Sequence, residues 1–223
     1  MLLAVDTSTA QVGLALYDGS QVIAEMTWQS HQHHTVELAP AFIELLRRAE
    51  VRVSELQVLG VALGPGSFTS LRVGLAFVKG LALTRKLPVI GIPSLDILAA
   101  VQPIAKIPLA VFLQAGRARI ALGWYKARGN QWKAEGAVRI ATVDSLVDSI
   151  DTPTLVAGEL QPEERQRLTV RKKETVRLAA PSMCLRRPAV LAELAWARWR
   201  AGKVDEVASL APIYLHTAES IPA

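Results

Sequence analysis

The residues with the clearest chemical potential lie at the end of the first apolar run and in a glycine-rich loop further along the chain. Residues 2–6 read LLAVD, and three hydroxyl residues follow the aspartate. A carboxylate and hydroxyl groups at a strand end could hold a phosphate-bound magnesium ion. Residues 64–70, GPGSFTS, open a predicted helix, and helix N-termini favour anions. The candidates for a vestigial nucleotide site are therefore Asp6, Ser8, Gly64, Gly66 and Ser67.

The same two segments also lack features of a working phosphate site. The glycine-rich loop does not end in the Gly-Lys-Ser/Thr of a Walker motif. Residues 7–9, Thr-Ser-Thr, supply no glycine where a phosphate needs close approach to the backbone. Strands also end in Asp for turn geometry alone. Two interpretations of these segments, a structural turn and a phosphotransferase site, therefore remain at this point. We expect no bound cofactor.

We find no spacing typical of a metal centre or a nucleophilic triad. His31, His33 and His34 lie together before a predicted helix, but no cysteine or carboxylate stands at a familiar ligand spacing. Ser67 lacks the Gly-x-Ser-x-Gly frame of a nucleophile elbow. Cys184 stands in a basic context, CLRR, without an evident base. We therefore predict no catalytic residue and no metal, and the roles of these histidines and of the cysteine stay open.

Composition and charge exclude several classes of protein. The chain has 223 residues, of which 51% are hydrophobic and 20% charged, so intrinsic disorder is not expected. No stretch of about 18 residues lacks a charge, so we expect no membrane span. The single cysteine and the lack of a basic leader favour a cytoplasmic protein. The net charge of +5 comes from the second half. The basic stretch of this half, residues 163–187, is either a surface that binds a polyanion or simply a solvated surface.

The order of predicted elements places the candidate residues in an α/β fold. Three strands within residues 2–28, with a turn at Asp18-Gly19, precede alternating helices and strands up to residue 101. A shorter and less regular version of this pattern restarts at Pro108. We therefore predict two related lobes, an N-terminal lobe of residues 1–105 and a smaller C-terminal lobe of residues 106–223.

Two predicted helices carry more apolar surface than one sheet can cover. Residues 69–86 contain only two charged side chains between Leu71 and Leu83, and residues 35–50 carry two apolar rows. A surface helix normally shows one apolar stripe. The second stripe either packs under another element of the chain or forms a protein–protein interface, which we favour. The residues predicted to form that interface are Leu38, Phe42, Leu45, Leu71, Gly74, Leu75 and Val78.

Five motifs, which occur in order along the whole chain, resemble the TsaB (YeaZ) family. The resemblance is close in the first lobe and loose in the second. The sequence departs from the family pattern at Ser70, Gln114 and Val36, where glycine, aspartate and an acidic residue are common. The motifs are LLAVDTST at 2–9, HHTVELAP at 33–40, ALGPGSFTSLRVG at 62–74, PVIGIPSLDILA at 88–99 and APIYLH at 211–216.

The resemblance implies a two-lobed actin/Hsp70/sugar-kinase-like (RNase H-like) fold with a degenerate second lobe. It also implies a non-catalytic scaffold or activator subunit in the synthesis of tRNA N6-threonylcarbamoyladenosine at adenosine-37. Such a subunit pairs with a TsaD-like transferase, cooperates with a TsaE-like ATPase, and forms a homodimer when alone. Contact with tRNA through residues 163–187 stays open. The alternative is an ATP-dependent phosphotransferase or hydrolase of the actin-like fold.

Overall fold

Each of two units is built around one five-stranded mixed sheet. The computed structural model describes residues 1–31, 33–116, 118–171 and 174–215. In the described chain, the first unit comprises Met1–Ile97 and Arg186–Ile213, and the second comprises Leu98–Leu185 with Tyr214 and Leu215. This division differs from the predicted single boundary between residues 105 and 106. The reason is that the last described helix of the chain packs on the first sheet.

The first sheet forms from the strands of the N-terminal half. They are β1 (Leu2–Asp6), β2 (Gln11–Tyr17), β3 (Val22–Gln29), β4 (Val58–Ala62) and β5 (Val89–Ile92). Their order across the sheet is β3-β2-β1-β4-β5, with β1, β2 and β3 antiparallel and with β4 and β5 parallel to β1. All residues of β1 and β4 are buried, as expected for strands that are covered on both faces.

Helices cover the first sheet on both of its faces. The described helices are α1 (His34–Arg48), α2 (Phe68–Arg85), α3 (Ser94–Val101), α4 (Val143–Asp148), α5 (Pro162–Arg171) and α6 (Pro188–Arg200), with 3-10 turns at Val53–Glu55 and Pro181–Met183. Successive residues of a strand point to opposite faces. Leu3 and Val5 therefore pack in the core that α1 and α2 cover, whereas Leu2 and Ala4 pack with Ala195 of α6.

The second sheet repeats the topology of the first. Its strands are β6 (Leu109–Gln114), β7 (Ile120–Arg128), β8 (Gln131–Ala141), β9 (Thr154–Gly158) and β10 (Val176–Leu178). Their order is β10-β9-β6-β7-β8, again with three antiparallel strands followed by two parallel ones. The core of this unit contains Leu146 of α4 and Leu168 of α5. The prediction of an α/β fold with two related lobes is confirmed.

A helix that spans a bilayer needs about 20 consecutive, mostly apolar residues. None of the described helices is both long and apolar enough to span a membrane.

Candidate functional site

The five residues predicted to form a nucleotide site lie together at the carboxyl edge of the first sheet. Since β1 and β4 are parallel neighbours, Asp6 and the loop after β4 leave the sheet at the same edge. The Ser67 amide donates to the Ser8 carbonyl oxygen at 2.7 Å. The Gly64 amide donates to Ser94 Oγ at 3.0 Å, and Ser94 Oγ lies 2.5 Å from Ser8 Oγ. The glycine-rich loop is thus bonded directly to the end of β1.

This edge is closed by the packing of the chain itself. Ser8 is fully buried, and Thr7 is 2% exposed. A methyl group at Gly66 would overlap the Ser8 carbonyl oxygen, and one at Gly74 would overlap Thr7 Oγ1. These two glycines therefore allow the loop and α2 to approach β1, which is an internal packing role rather than access for a phosphate.

The serine in place of the family's usual glycine contributes to the start of α2. Ser70 is buried, and its hydroxyl donates to Ser67 Oγ at 2.9 Å. Ser67 Oγ also accepts the Ser70 amide at 3.4 Å, so Ser67 is the N-cap of the helix. The Ser70 carbonyl oxygen accepts from Thr7 Oγ1 at 2.7 Å. The Ser70 hydroxyl therefore adds one internal hydrogen bond to this edge.

Arg186, which sequence reasoning missed, neutralises the carboxylate of Asp6. Both residues are 1% exposed, and Arg186 Nε donates to Asp6 Oδ2 at 2.8 Å. Arg186 Nη2 donates to Thr9 Oγ1 at 2.9 Å and to the Gln11 carbonyl oxygen at 3.1 Å. Asp6 Oδ1 accepts the amide of Ser8 at 2.8 Å. A buried charge needs such partners. Local spacing could not reveal a pair separated by 180 positions.

The corresponding strand end of the second sheet is also saturated by internal contacts. Gln114 ends β6 as Asp6 ends β1. Its amide nitrogen Nε2 donates to Glu164 Oε2 at 2.9 Å and to the Glu159 carbonyl oxygen at 2.8 Å. Both strand ends are therefore held by groups of the same unit.

The three histidines and the cysteine do not assemble a metal site. His34 is buried with Nε2 3.0 Å from the Thr9 carbonyl oxygen, whereas His31 and His33 are exposed. Across the described ranges, no three His, Cys, Asp or Glu side chains are grouped so that they could hold a metal ion. Cys184 is buried, with Sγ 3.9 Å from Arg165 Nη2.

The structure corrects the predicted partner interface, because all seven of its residues are buried. Val78 is completely buried, and Leu75, the most exposed leucine of the set, is only 7% exposed. These side chains cover the first sheet. Two apolar rows on one helix do not reveal which row faces the core, and the prediction selected the wrong one. The seven buried residues are Leu38, Phe42, Leu45, Leu71, Gly74, Leu75 and Val78.

The exposed apolar surface lies on the other side of the same two helices. Val36 and Ile43 of α1 are 66% and 64% exposed, and Phe68 and Leu83 of α2 are 52% and 73% exposed. The Arg72 guanidinium lies 3.6 Å from the centroid of the Phe68 ring. We call this surface the α1–α2 face and define it by Val36, Ala39, Ile43, Phe68, Ala76 and Leu83.

A groove opens on the α1–α2 face. Its cavity volume is about 430 Å³. Aromatic contact between Phe42 and Phe77, whose ring centroids are 5.4 Å apart, links the two helices beneath it. Its lining is mostly apolar and consists of Thr35, Leu38, Ala39, Phe68, Thr69, Arg72, Val73, Ala76 and Phe77.

Charged side chains follow the exposed row of α1. Arg47 and Arg48 donate to Glu44 at 2.8 Å and 2.6 Å, which lowers the pKa of this carboxyl to about 2. Nearer the start of the helix, Trp28 Nε1 donates to Glu37 Oε2 at 2.9 Å and lowers the pKa of Glu37. The lowered pKa values extend the pH range over which both carboxylates are ionised to more acidic pH.

The basic stretch of residues 163–187 is not one exposed surface. Arg186 is buried against Asp6, and Arg165 is half-buried and donates to the Ala179 carbonyl oxygen at 3.2 Å. Lys172 and Lys173 of this stretch lie outside the described residues, as does His216 of the last motif. Some cations of the predicted polyanion-binding surface therefore make internal contacts instead.

Comparison with known proteins agrees with this fold and its motifs. A family profile described as "TsaD: tRNA N6-adenosine threonylcarbamoyltransferase" matches residues 21–183. The chain is 30% identical over 160 residues to the tRNA threonylcarbamoyladenosine biosynthesis protein TsaB of Bacillus subtilis, covering 70% of each chain. The chain belongs to the TsaB (YeaZ) family. A TsaB of Buchnera aphidicola (Schizaphis graminum) is 26% identical over 166 residues, covering 71% of this chain and 78% of that protein.

A solved structure supports the family fold. YeaZ from Pseudomonas aeruginosa superposes with a TM-score of 0.77 at 24% identity, covering 96% of this chain and 99% of that one. The TsaB-like motifs therefore belong to a TsaB-like fold. The resemblance predicted from those motifs is confirmed.

Proposed function

We propose that the chain is a non-catalytic scaffold or activator subunit in the synthesis of tRNA N6-threonylcarbamoyladenosine at adenosine-37. Its TsaB relatives are named for this biosynthesis. The observation that carries the scaffold role is the exposed apolar α1–α2 face. The proposed partner on that face is a TsaD-like transferase, with a second copy of the chain when the transferase is absent. A TsaE-like ATPase cooperates with this pair in the cytoplasm.

The chemistry of the α1–α2 face supports a protein partner. Ile43, Phe68 and Leu83 each leave more than half of their surface exposed, and Phe68 also lines the groove between α1 and α2. Contiguous exposed apolar patches are typical of partner sites, since their burial removes apolar surface from water. The face therefore suits an apolar helix surface of a partner better than a polar ligand.

The closed edge of the first sheet supports the non-catalytic part of the proposal. A phosphotransferase of this fold would need an open carboxylate at the end of β1, where a nucleotide could approach. In this chain both oxygens of Asp6 already accept hydrogen bonds, from Ser8 and from Arg186. The alternative of an ATP-dependent phosphotransferase or hydrolase is therefore disfavoured. Exposed cations of residues 163–187, such as Arg177, are proposed to contact tRNA.

The test of the interface replaces one exposed side chain of the α1–α2 face. Complete burial of an isoleucine side chain contributes about 1.5–3 kcal/mol. Ile43 is 64% exposed in the chain alone, so a docked partner would bury about two thirds of this side chain. Ile43→Ala should then cost about 1–2 kcal/mol of binding, a five- to thirtyfold rise in Kd. Ile43→Glu should cost more, since it buries a carboxylate.

The matched control is Val170→Glu, because Val170 is 72% exposed on α5, a helix of the other unit. Binding to the purified TsaD-like transferase is measured by calorimetry, and circular dichroism checks that each variant is folded. The reconstituted modification reaction is run with and without the chain. An unchanged Kd for folded Ile43→Glu would refute the interface. Undiminished threonylcarbamoyladenosine formation without the chain would refute the function.

A further inference from the structure

Three oxygen atoms at the carboxyl edge of the first sheet surround one cationic group. They are Asp6 Oδ2, Thr9 Oγ1 and the Gln11 carbonyl oxygen, and each accepts from the Arg186 guanidinium at 2.8–3.1 Å. The three residues are 1%, 8% and 6% exposed, so bulk water does not compete for these contacts. A carboxylate, a hydroxyl and a carbonyl are also the donors that hard divalent cations prefer.

We propose that this edge is a cation-binding site that selects a guanidinium and that Arg186 fills it permanently. The inference does not depend on the proposed partner or on tRNA modification. A guanidinium is planar and presents its N–H groups in a fixed fork, which matches acceptors placed side by side. Here Nε meets Asp6 while Nη2 meets Thr9 and Gln11. A compact ammonium or a spherical ion would not reproduce these directions.

Occupation by Arg186 has a consequence for divalent cations. Asp6 Oδ2 accepts from Arg186 Nε, and Asp6 Oδ1 accepts from the Ser8 amide at 2.8 Å. A metal ion would have to displace a buried positive charge from the same oxygens, against electrostatic repulsion. The arginine therefore keeps this carboxylate from acting as a metal ligand.

The same contact anchors the start of α6. Arg186 precedes the first residue of that helix, Pro188, by two positions. The next residue, Arg187, pairs with Glu25, and the Ala189 amide donates to Glu25 Oε1 at 3.1 Å. Two ion pairs thus tie the residues just before α6 to the first sheet, one of them inside the cation site.

The experiment removes the internal guanidinium and supplies it from solution. Arg186→Ala should lower the thermal midpoint, because it leaves Asp6 buried without its partner. Methylguanidinium chloride, titrated to about 20 mM, should raise the midpoint of this variant saturably, since a ligand that binds only the native state stabilises it. Ammonium chloride at equal concentration should not. The wild-type chain should respond equally to the two salts.

The matched control is the double variant Asp6→Asn with Arg186→Ala, in which the anionic ligand of the site is also removed. Methylguanidinium should have no specific effect on it. Equal responses of Arg186→Ala to both salts, or a response retained in the double variant, would overturn the proposal. Stabilisation of Arg186→Ala by MnCl2 instead of methylguanidinium would also overturn it. If Arg186→Ala must be refolded, its refolding yield in the two salts provides the same comparison.

Discussion

Gly80 is an exposed position in the interior of α2 where the effect of a single methyl group can be worked out. A methyl group built at Gly80 meets no atom within 4 Å. Glycine in a helix interior is less favourable than alanine by about 1 kcal/mol, chiefly through backbone entropy. Gly80→Ala should therefore stabilise the isolated chain by about 1 kcal/mol and raise its thermal midpoint by about 2–4 °C.

Gly74 on the same helix is the matched control. A methyl group there would overlap Thr7 Oγ1, which donates to the Ser70 carbonyl oxygen at 2.7 Å. Overpacking of this kind costs about 1–3 kcal/mol, which offsets or exceeds the helix gain. Gly74→Ala should therefore leave the thermal midpoint unchanged or lower it. Calorimetry of the two variants at matched concentration measures both effects.

Gly80→Ala also tests how closely a partner approaches α2. If the partner's backbone packs against this exposed glycine, the added methyl group should raise the Kd for the TsaD-like transferase while it raises the stability of the isolated chain. The two effects then have opposite signs in one variant. A lower thermal midpoint for Gly80→Ala would refute the reasoning about α2, because neither strain nor a lost contact is available at this position.

Two further predictions concern Ser94 and Glu44. Ser94→Ala removes the acceptor of the Gly64 amide and the 2.5 Å partner of Ser8 Oγ, so urea unfolding should show a loss of about 1–3 kcal/mol, and wild-type stability would contradict this. The folded-state pKa of Glu44, about 2, lies below its ordinary value because Arg47 and Arg48 donate to it. Its stabilising contribution is therefore present above pH ~4.5 and is lost as the pH falls through about 2. In NMR titrations, Arg47→Gln with Arg48→Gln should return this pKa towards 4.5, and an unchanged pKa would exclude the arginines as the cause.

Local patterns in the sequence were sufficient for the order of the elements in the N-terminal half and for the family. Apolar runs, the Asp18-Gly19 turn and the helical periodicities depend on neighbours in the chain, and they predicted the first sheet and the restart of the pattern after Pro108. They did not predict α5 or β10 of the second unit. The two over-apolar helices were also visible, because the number of apolar residues on a helix can be counted without a structure.

Long-range contacts decided the properties of the candidate site. Packing against the sheet decides which apolar side chains of α1 and α2 face the core. Val78 is therefore buried, whereas Ile43 is exposed. The carboxyl edge of the first sheet is closed in part by Arg186, which pairs with Asp6 across 180 positions of the chain. Such contacts leave no periodic signal, since the residues meet only after the strands and α6 have packed. Patterns along the chain therefore indicated the fold class and the family, whereas packing between distant segments established which residues are exposed and which charge meets Asp6.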